Sequence, residues 1–414
     1  VDWGGVFAQV EYSGKKWSAF LTGSGSMTYY QRLDYFKKRD VVLDDGTVVP
    51  QIVGYNEVYY TNGTQSGVAQ NNAVITTSGD TTIINNPSGA DYKIVNAKGY
   101  AWNSDKARTA QTDRKSFPGF TVKTGANYNF TDHLNAFVNI GYLVLAPRFN
   151  TVFDNNNKEI PGVKSQVVFA TEIGVGVRYP KFAVNFNAYN TDWKNKPPYS
   201  SPTVTIASDQ YTYDMTGLNT TLKGIEVDFS VKPLETLELM GMVSIGDWTY
   251  HSSGVAYLYD ANYVLTDTIA YSAKGVHVGD AAQTMFSGSA RWEMFRGFYI
   301  KPRYTYFANH YANFDPIYLT PVYNSAHQEV GDNRDHESWK IPAYGLLDLF
   351  AGYEFSEKVG DDHKIKLAFN LGVTNLLNTF YISDATNGAN YDAASVLIYP
   401  GLGRRWTAGM RLMF

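Results

Sequence analysis

The chain has no cysteine among its 414 residues, so neither a disulfide framework nor thiolate chemistry is open to it. It also lacks long apolar runs: no stretch approaches the ~18 residues of a membrane-spanning helix. An excess of one charge is missing as well. With 35 Lys and Arg against 39 Asp and Glu, the net charge is −4, which gives no electrostatic footprint for a nucleic-acid partner. The opening VDWGGVFAQVEY carries neither the charged region nor the apolar core of a secretory signal. Mean hydropathy is negative, which excludes a bundle of membrane helices. It does not exclude a membrane β-barrel, whose lumen-facing side chains are polar and lower the average.

What is abundant is Tyr (32), Phe (23) and Gly (36), and the aromatics fall in a period of two. Phe120, Val122, Ala126, Tyr128 and Phe130 alternate with Lys123, Asn127 and Asn129. Ile173, Val175, Val177 and Tyr179 oppose Glu172 and Arg178, and Ile225, Val227, Phe229 and Val231 oppose Glu226, Asp228 and Ser230. The same pattern runs through Phe298–Tyr306, Leu347–Phe355 and Ile365–Val373, and through TAGMRLMF at 407–414. Such alternation marks strands with one apolar and one polar face. About thirteen such strands fit, each of roughly ten residues, the length that crosses a bilayer at a tilt.

Short connections (13–16, 131–134, 179–181, 233–236, 295–297 and 356–363) alternate with long ones near 37–114, 149–163, 197–216, 250–282, 310–341 and 378–399. That alternation points to an all-β, antiparallel up-and-down transmembrane β-barrel with tight turns at one rim and long extracellular loops at the other. A sandwich needs crossovers, and a propeller needs a fixed repeat of 40–50 residues that the sequence does not show. The longest segment, 16–36, is expected to rise above the membrane as part of a hairpin. Parity places Lys123, Glu172, Glu226, Asp228, Arg303, Lys364, Lys366 and Arg411 on the lumen side, where they line a water channel or hold a plug.

Chemistry in the loops is sparser. GDNRDHESW at 331–339 gathers Asp332, Asp335, His336 and Glu337, from which a metal site or acid–base pair could be built. A hydrated loop tip is the favoured reading, so no catalytic residue, metal ligand or cofactor is assigned. APRFNTVFDNNNK at 146–158 offers Arg148, Phe149, Asp154, Asn155 and Asn156 as a recognition rim, because rings stack on ligands and amides bond their polar edges. An Asn- and Asp-rich turn explains the same residues. Trp102, in the long Tyr-bearing loop 37–114, is a further candidate ligand contact.

Two sets of residues resemble known signals. Thr407, Gly409, Leu412 and Phe414 are similar to the C-terminal signal read by bacterial barrel assembly machinery. The segments WGGVFAQVEYSGKKWSAFLTGSGSMTYYQRLDYF (3–36), PGFTVKTGANYNFTDHLNAFVNIGYLVLAPRFNTVF (118–153) and GVTNLLNTFYIS (372–383) resemble TonB-dependent outer-membrane receptors of the Bacteroidetes form. The resemblance implies a barrel of about 22 strands around an N-terminal plug. This chain would then be the C-terminal part, with the plug, its TonB-contacting box and the earlier strands absent. It further implies a Gram-negative cell outer membrane and uptake of a bulky nutrient: an iron chelate, cobalamin or a glycan. The partners implied are the TonB complex through the plug, outer-membrane lipid, an extracellular ligand and a surface lipoprotein. A passive porin is the alternative function, and a barrel-rim enzyme a more distant one.

Overall fold

The structure, a computed structural model, describes residues 1–38, 41–42, 48–49, 57–60, 65–68, 74–78, 81–87, 89, 91–94, 99–101, 109–153, 159–196, 203–206, 209–260, 265–323, 328–359 and 363–413. Thirteen long strands form one antiparallel sheet: β1 (Asp2–Ser13), β2 (Trp17–Tyr30), β3 (Lys115–Asn129), β4 (Leu134–Leu145), β5 (Gln166–Tyr179), β6 (Phe182–Lys194) and β7 (Thr220–Leu234), then β8 (Leu237–Tyr250), β9 (Thr284–Phe295), β10 (Phe298–Ala308), β11 (Tyr344–Val359), β12 (His363–Thr374) and β13 (Arg405–Met413). Sheet order equals chain order, so the up-and-down expectation and the strand count hold.

Register explains the alternation. Tyr128, Ala136, Val175, Phe186, Val227, Val243, Phe286 and Tyr306 are consecutive cross-strand partners from β3 to β10. One residue along each strand, Asn129, Asn135, Gly176, Asn185, Asp228, Met242, Ser287 and Thr305 form the neighbouring row on the other face. Since successive side chains point to opposite faces, these rows give one apolar face and one largely polar face. The apolar face is open: Ile173 is 58% exposed and Phe286 43%.

Five of the six expected short turns separate paired strands as expected; at 356–363 the strands run on to Val359 and resume at His363, and 360–362 lie outside the described residues. Between β3 and β4, the Thr131 hydroxyl accepts from the amides of His133 (3.1 Å) and Leu134 (3.0 Å). Between β9 and β10, Gly297 takes φ +84°, and a Cβ there would strike the Glu354 carbonyl oxygen, so glycine is required. One expectation changes in detail. The segment 16–36 does not continue as one strand: β2 ends at Tyr30, and Leu33–Lys38 pairs separately with Thr109–Gln111.

Contacts divide the chain into two compact units. The first comprises Val1–Gly4, Met27–Phe117 and Pro147–Val163; the second comprises Gly5–Ser26, Pro118–Ala146 and Lys164–Phe414. In the first, Val152, Phe153 and Ile160 are buried, and the Tyr30 ring meets Phe117 and Phe149 at 5.7 and 5.6 Å. The second holds the largest buried cluster, and it lies among the long loops. There Thr203–Ile206, Asp209–Thr216, Ser253–Tyr259 and Leu265–Ser272 form a four-stranded sheet. Tyr213, Leu218, Leu258, Tyr271, Val276, Phe314 and Leu319 pack together against it.

Candidate functional site

The polar sheet face is built from amides, hydroxyls and charges at alternate positions. Glu172 accepts from Asn139 Nδ2 (3.1 Å), Asp228 from Asn185 Nδ2 (2.9 Å) and Glu226 from the Ser244 hydroxyl (3.3 Å). Lys123 lies opposite Gly141, and Arg411 opposite Ala368, both on the same face. Lys366 Nζ stands 2.6 Å from Glu354 Oε1. The face also has relief: Phe20, Lys123, Asn139, Gly141, Glu172 and Tyr189 line a hollow of about 580 Å³. Its floor is low where Gly141 and Ala170 stand side by side.

Arg303 is the most firmly held of the predicted lumen charges. Its Nη2 and Nε donate to Asp348 Oδ2 at 2.6 and 3.1 Å, while Asp348 Oδ1 accepts from the Asn375 amide at 2.9 Å. Asp348 and Asn375 are both buried. Asn375 opens the turn of GVTNLLN with φ +51°, a conformation that Asn tolerates better than most residues. Its Nδ2 donates to the carbonyls of Thr379 (2.8 Å) and Leu402 (3.2 Å), and its Oδ1 accepts from the Thr379 amide (2.8 Å). Asn378, also at positive φ, accepts from the Arg404 amide at 2.9 Å. The motif therefore fastens the β12–β13 connection to the polar face. Sequence reading singled out the motif and Arg303 separately, and missed that Asp348 joins them. The repeated Asn of NLLN, suited to two left-handed turn positions, was the available signal.

The recognition-rim residues divide. Arg148 and Phe149 are described: the Arg148 carbonyl accepts from Thr151 N (2.9 Å), and the Phe149 ring packs on Tyr30 and Phe153. Asp154, Asn155, Asn156 and Trp102 lie outside the described residues. Of the terminal signal, Thr407 and Gly409 are on the polar face and Leu412, paired with Leu367, on the apolar one; Phe414 lies outside the described residues.

The 331–339 segment is consumed by loop-to-loop contacts. Asp335 Oδ1 accepts from the Lys274 amide (2.7 Å), Arg334 donates to Asp332, and His336 packs at a tilt against Tyr391, ring centroids 4.0 Å apart. Hydrogen bonds and charge from Arg334 hold the Asp332 carboxyl below its ordinary range. Glu337 Oε2 lies 2.5 Å from His277 Nδ1, and Asp247 Oδ1 is 3.7 Å from Nε2. His277 also stacks on Tyr311 at 4.2 Å. Glu337 thus holds the His277 ring at Nδ1, with Asp247 at ion-pair distance from Nε2, and the histidine ties the 273–283 loop to the 331–339 loop. Among the described residues, no three His, Asp or Glu converge as a metal site.

Asp315 is the other unusual loop carboxylate. It caps the helical turn Pro316–Tyr318 by accepting from the Ile317 amide (3.2 Å), and the Tyr213 hydroxyl bonds to it. Burial raises its pKa from 3.8 to about 7, and raises that of Tyr213 as well.

A thirteen-stranded meander with one exposed apolar face and one polar face is the architecture of a membrane β-barrel wall. The particular family follows from comparison: residues 2–376 match the family described as TonB dependent receptor-like, beta-barrel, and the chain belongs to that family. Among solved structures, the copper transporter OprC is 11% identical with a TM-score of 0.52, covering 99% of this chain and 49% of its own; it supports the fold. The FrpB iron transporter from Neisseria meningitidis (14%, TM-score 0.48) and the ferric-catecholate import receptor Fiu from E. coli K12 in its closed form (13%, 0.49) cover 98% and 99% of this chain. They are matched over 44% and 54% of their own lengths, so the chain spans about half of these solved receptors. No curated protein matches the sequence.

Proposed function

We propose that this chain forms part of the barrel of an outer-membrane receptor in a Gram-negative envelope, of the Bacteroidetes form, that takes up a bulky nutrient by TonB-energised transport. The family match over residues 2–376 is the observation that carries this reading. In it, the apolar face of the sheet meets lipid and the polar face meets a plug, supplied with the remaining strands by a longer protein. Lys123, Glu172, Glu226, Asp228, Lys366 and Arg411 are the plug-facing or lumen-facing charges, while Arg303 braces the wall through Asp348. Arg148, Phe149, Asp154, Asn155, Asn156 and Trp102 remain the proposed ligand contacts. Thr407, Gly409, Leu412 and Phe414 are the proposed signal for the barrel assembly machinery. The nutrient belongs to the iron-chelate, cobalamin or glycan class.

Liposome swelling with the full-length protein tests the reading. A plugged receptor leaves vesicles tight to small sugars, whereas a porin lets them swell at once. In cells, removal of TonB should abolish receptor-dependent accumulation of the ligand; undiminished accumulation would overturn energised uptake.

A further inference from the structure

The segment 309–320 leaves β10 and joins two buried clusters of the second unit. Phe314 and Leu319 enter the tyrosine-rich cluster, and Ala312 packs with Ile341 and Ala385 in a smaller one. His310 stands where the segment begins. It pairs with Ile341 in a two-residue bridge and is only 4% exposed, yet neither ring nitrogen has a hydrogen-bond partner. Ser338 Oγ and Asn387 Nδ2, in the same loop junction, are likewise buried and without partners. Buried polar groups in folded proteins are nearly always satisfied, so a histidine with two idle nitrogens is costly to keep. Charging it there would be costlier still, unless a carboxylate came to meet it.

Two carboxylates act on it electrostatically, and both are already engaged elsewhere. Asp280, in the loop after β8, accepts from Asn313 Nδ2 at 2.6 Å. Asp384, on Ile382–Thr386, accepts from the Ala385 amide at 2.7 Å. Two further charged residues of the junction have other partners: Lys340 lies over the Tyr311 ring, and Glu337 holds His277. Asn313 is the hinge of the junction. Its amide donates to Ala385 O (2.8 Å), and its carbonyl accepts from the Asn387 amide (2.7 Å).

We infer that His310 is a proton-operated latch: uncharged, it lets the 309–320 segment dock on the 382–387 strand, and once protonated it draws Asp280 and Asp384 from their present partners and loosens that docking. Asp280 is the critical step, because a carboxylate turned toward His310 releases the Asn313 side chain. Burial lowers the pKa of His310 while Asp384 and Asp280 raise it, and the burial effect is the larger. The docked state therefore binds fewer protons than the opened state below the ordinary histidine value. Opening should become easier as pH falls from about 6.5, by up to about tenfold per unit. Asp315 works in the opposite direction over an overlapping range, since the docked segment keeps it protonated up to about pH 7. Burial raises Asp384 as well, in the same direction as Asp315. The wild-type profile alone therefore sums opposed effects, and the latch is read as a difference between variants.

The experiment is hydrogen exchange with mass spectrometry on the full-length receptor at pH 5 and 7.5, corrected for the intrinsic pH dependence of exchange. Wild type is compared with His310→Gln in peptides covering 309–315 and 382–387. The expected result is that the variant is better protected than wild type at pH 5, several-fold or more relative to their ratio at pH 7.5. Peptides from β9 should show no such difference. An unchanged ratio between the two proteins at both pH values overturns the latch. Should His310→Gln fail to fold, His310→Phe also removes the titrating ring and fills the same buried place. It must then change its protection ratio to wild type between the two pH values in the same direction, and an unchanged ratio overturns the proposal equally.

Discussion

The sheet and the loop cluster of the second unit dispose of their apolar residues in opposite ways. In the sheet, rows such as Ile173, Ala188, Ile225 and Ile245 run across neighbouring strands and stay on an open face. In the loops, Tyr213, Tyr271, Leu319 and Val276 are buried to within 2%. Among the described residues, the sheet strands contribute only Tyr30, Tyr250 and Val373 to the buried apolar set, and each lies at the long-loop end of its strand. A protein in water buries its core within its sheets; here the core is in the connections. The difference teaches that the two regions are solvated differently. The loops fold as a water-soluble domain does, by removing apolar area from water. The sheet presents its apolar side to hydrocarbon and needs only polar satisfaction of its backbone.

The sharpest way to break this comparison is to remove a ring from the loop core. Tyr213→Ala should cost about 4 kcal/mol, through lost burial and the cavity left behind. Hydrogen exchange should accelerate in peptides covering 209–216 and 265–272, with β4 to β6 unaffected. An effect of nearly that size is expected from pH alone. Burial raises the Asp315 carboxyl from 3.8 to about 7, so the folded cluster holds more protons than the opened one between those values. Its stability is full below about pH 4 and falls as pH rises to about 7, by up to about 4 kcal/mol in total. In Asp315→Asn the loss should vanish, which exchange measured in loop peptides from pH 4 to 8 would reveal.

On the sheet, the largest expected effect comes from within the polar face. Asp348→Ala leaves Arg303 and the Asn375 amide without their acceptor, and should cost about 3 kcal/mol in urea unfolding from vesicles. Next comes the apolar face. Ile173→Arg should cost about 2 kcal/mol in the same vesicles if it sits near the bilayer midplane. A smaller loss for Ile173→Arg than for Ile173→Ala would sink the assignment of that face to lipid. The least sensitive site is the Lys366–Glu354 pair, 2.6 Å apart but partly exposed. Lys366→Met should change stability by less than about 1 kcal/mol, and by less again at high salt.

Parts of the site were legible in the chain and parts were not. Glu172, Glu226 and Asp228 could be placed on the polar face from their neighbours alone, because every second residue shares a side. The brace from Arg303 through Asp348 to Asn375 could not, since its members are 45 and 27 residues apart. Asp332, Asp335, His336 and Glu337 stood out as a cluster in sequence, yet each turns to a different partner in space.

The sequence by itself determined the thirteen strands, their two faces and the alternation of short turns with long loops. Those features are local: a strand's periodicity and a turn's residues are written within about ten positions. Only the tertiary structure decided that the long loops carry a core, that His277 is clamped between two carboxylates, and that His310 and Asp315 are buried. Burial depends on which distant segments arrive at the same place, and no local pattern records that arrival.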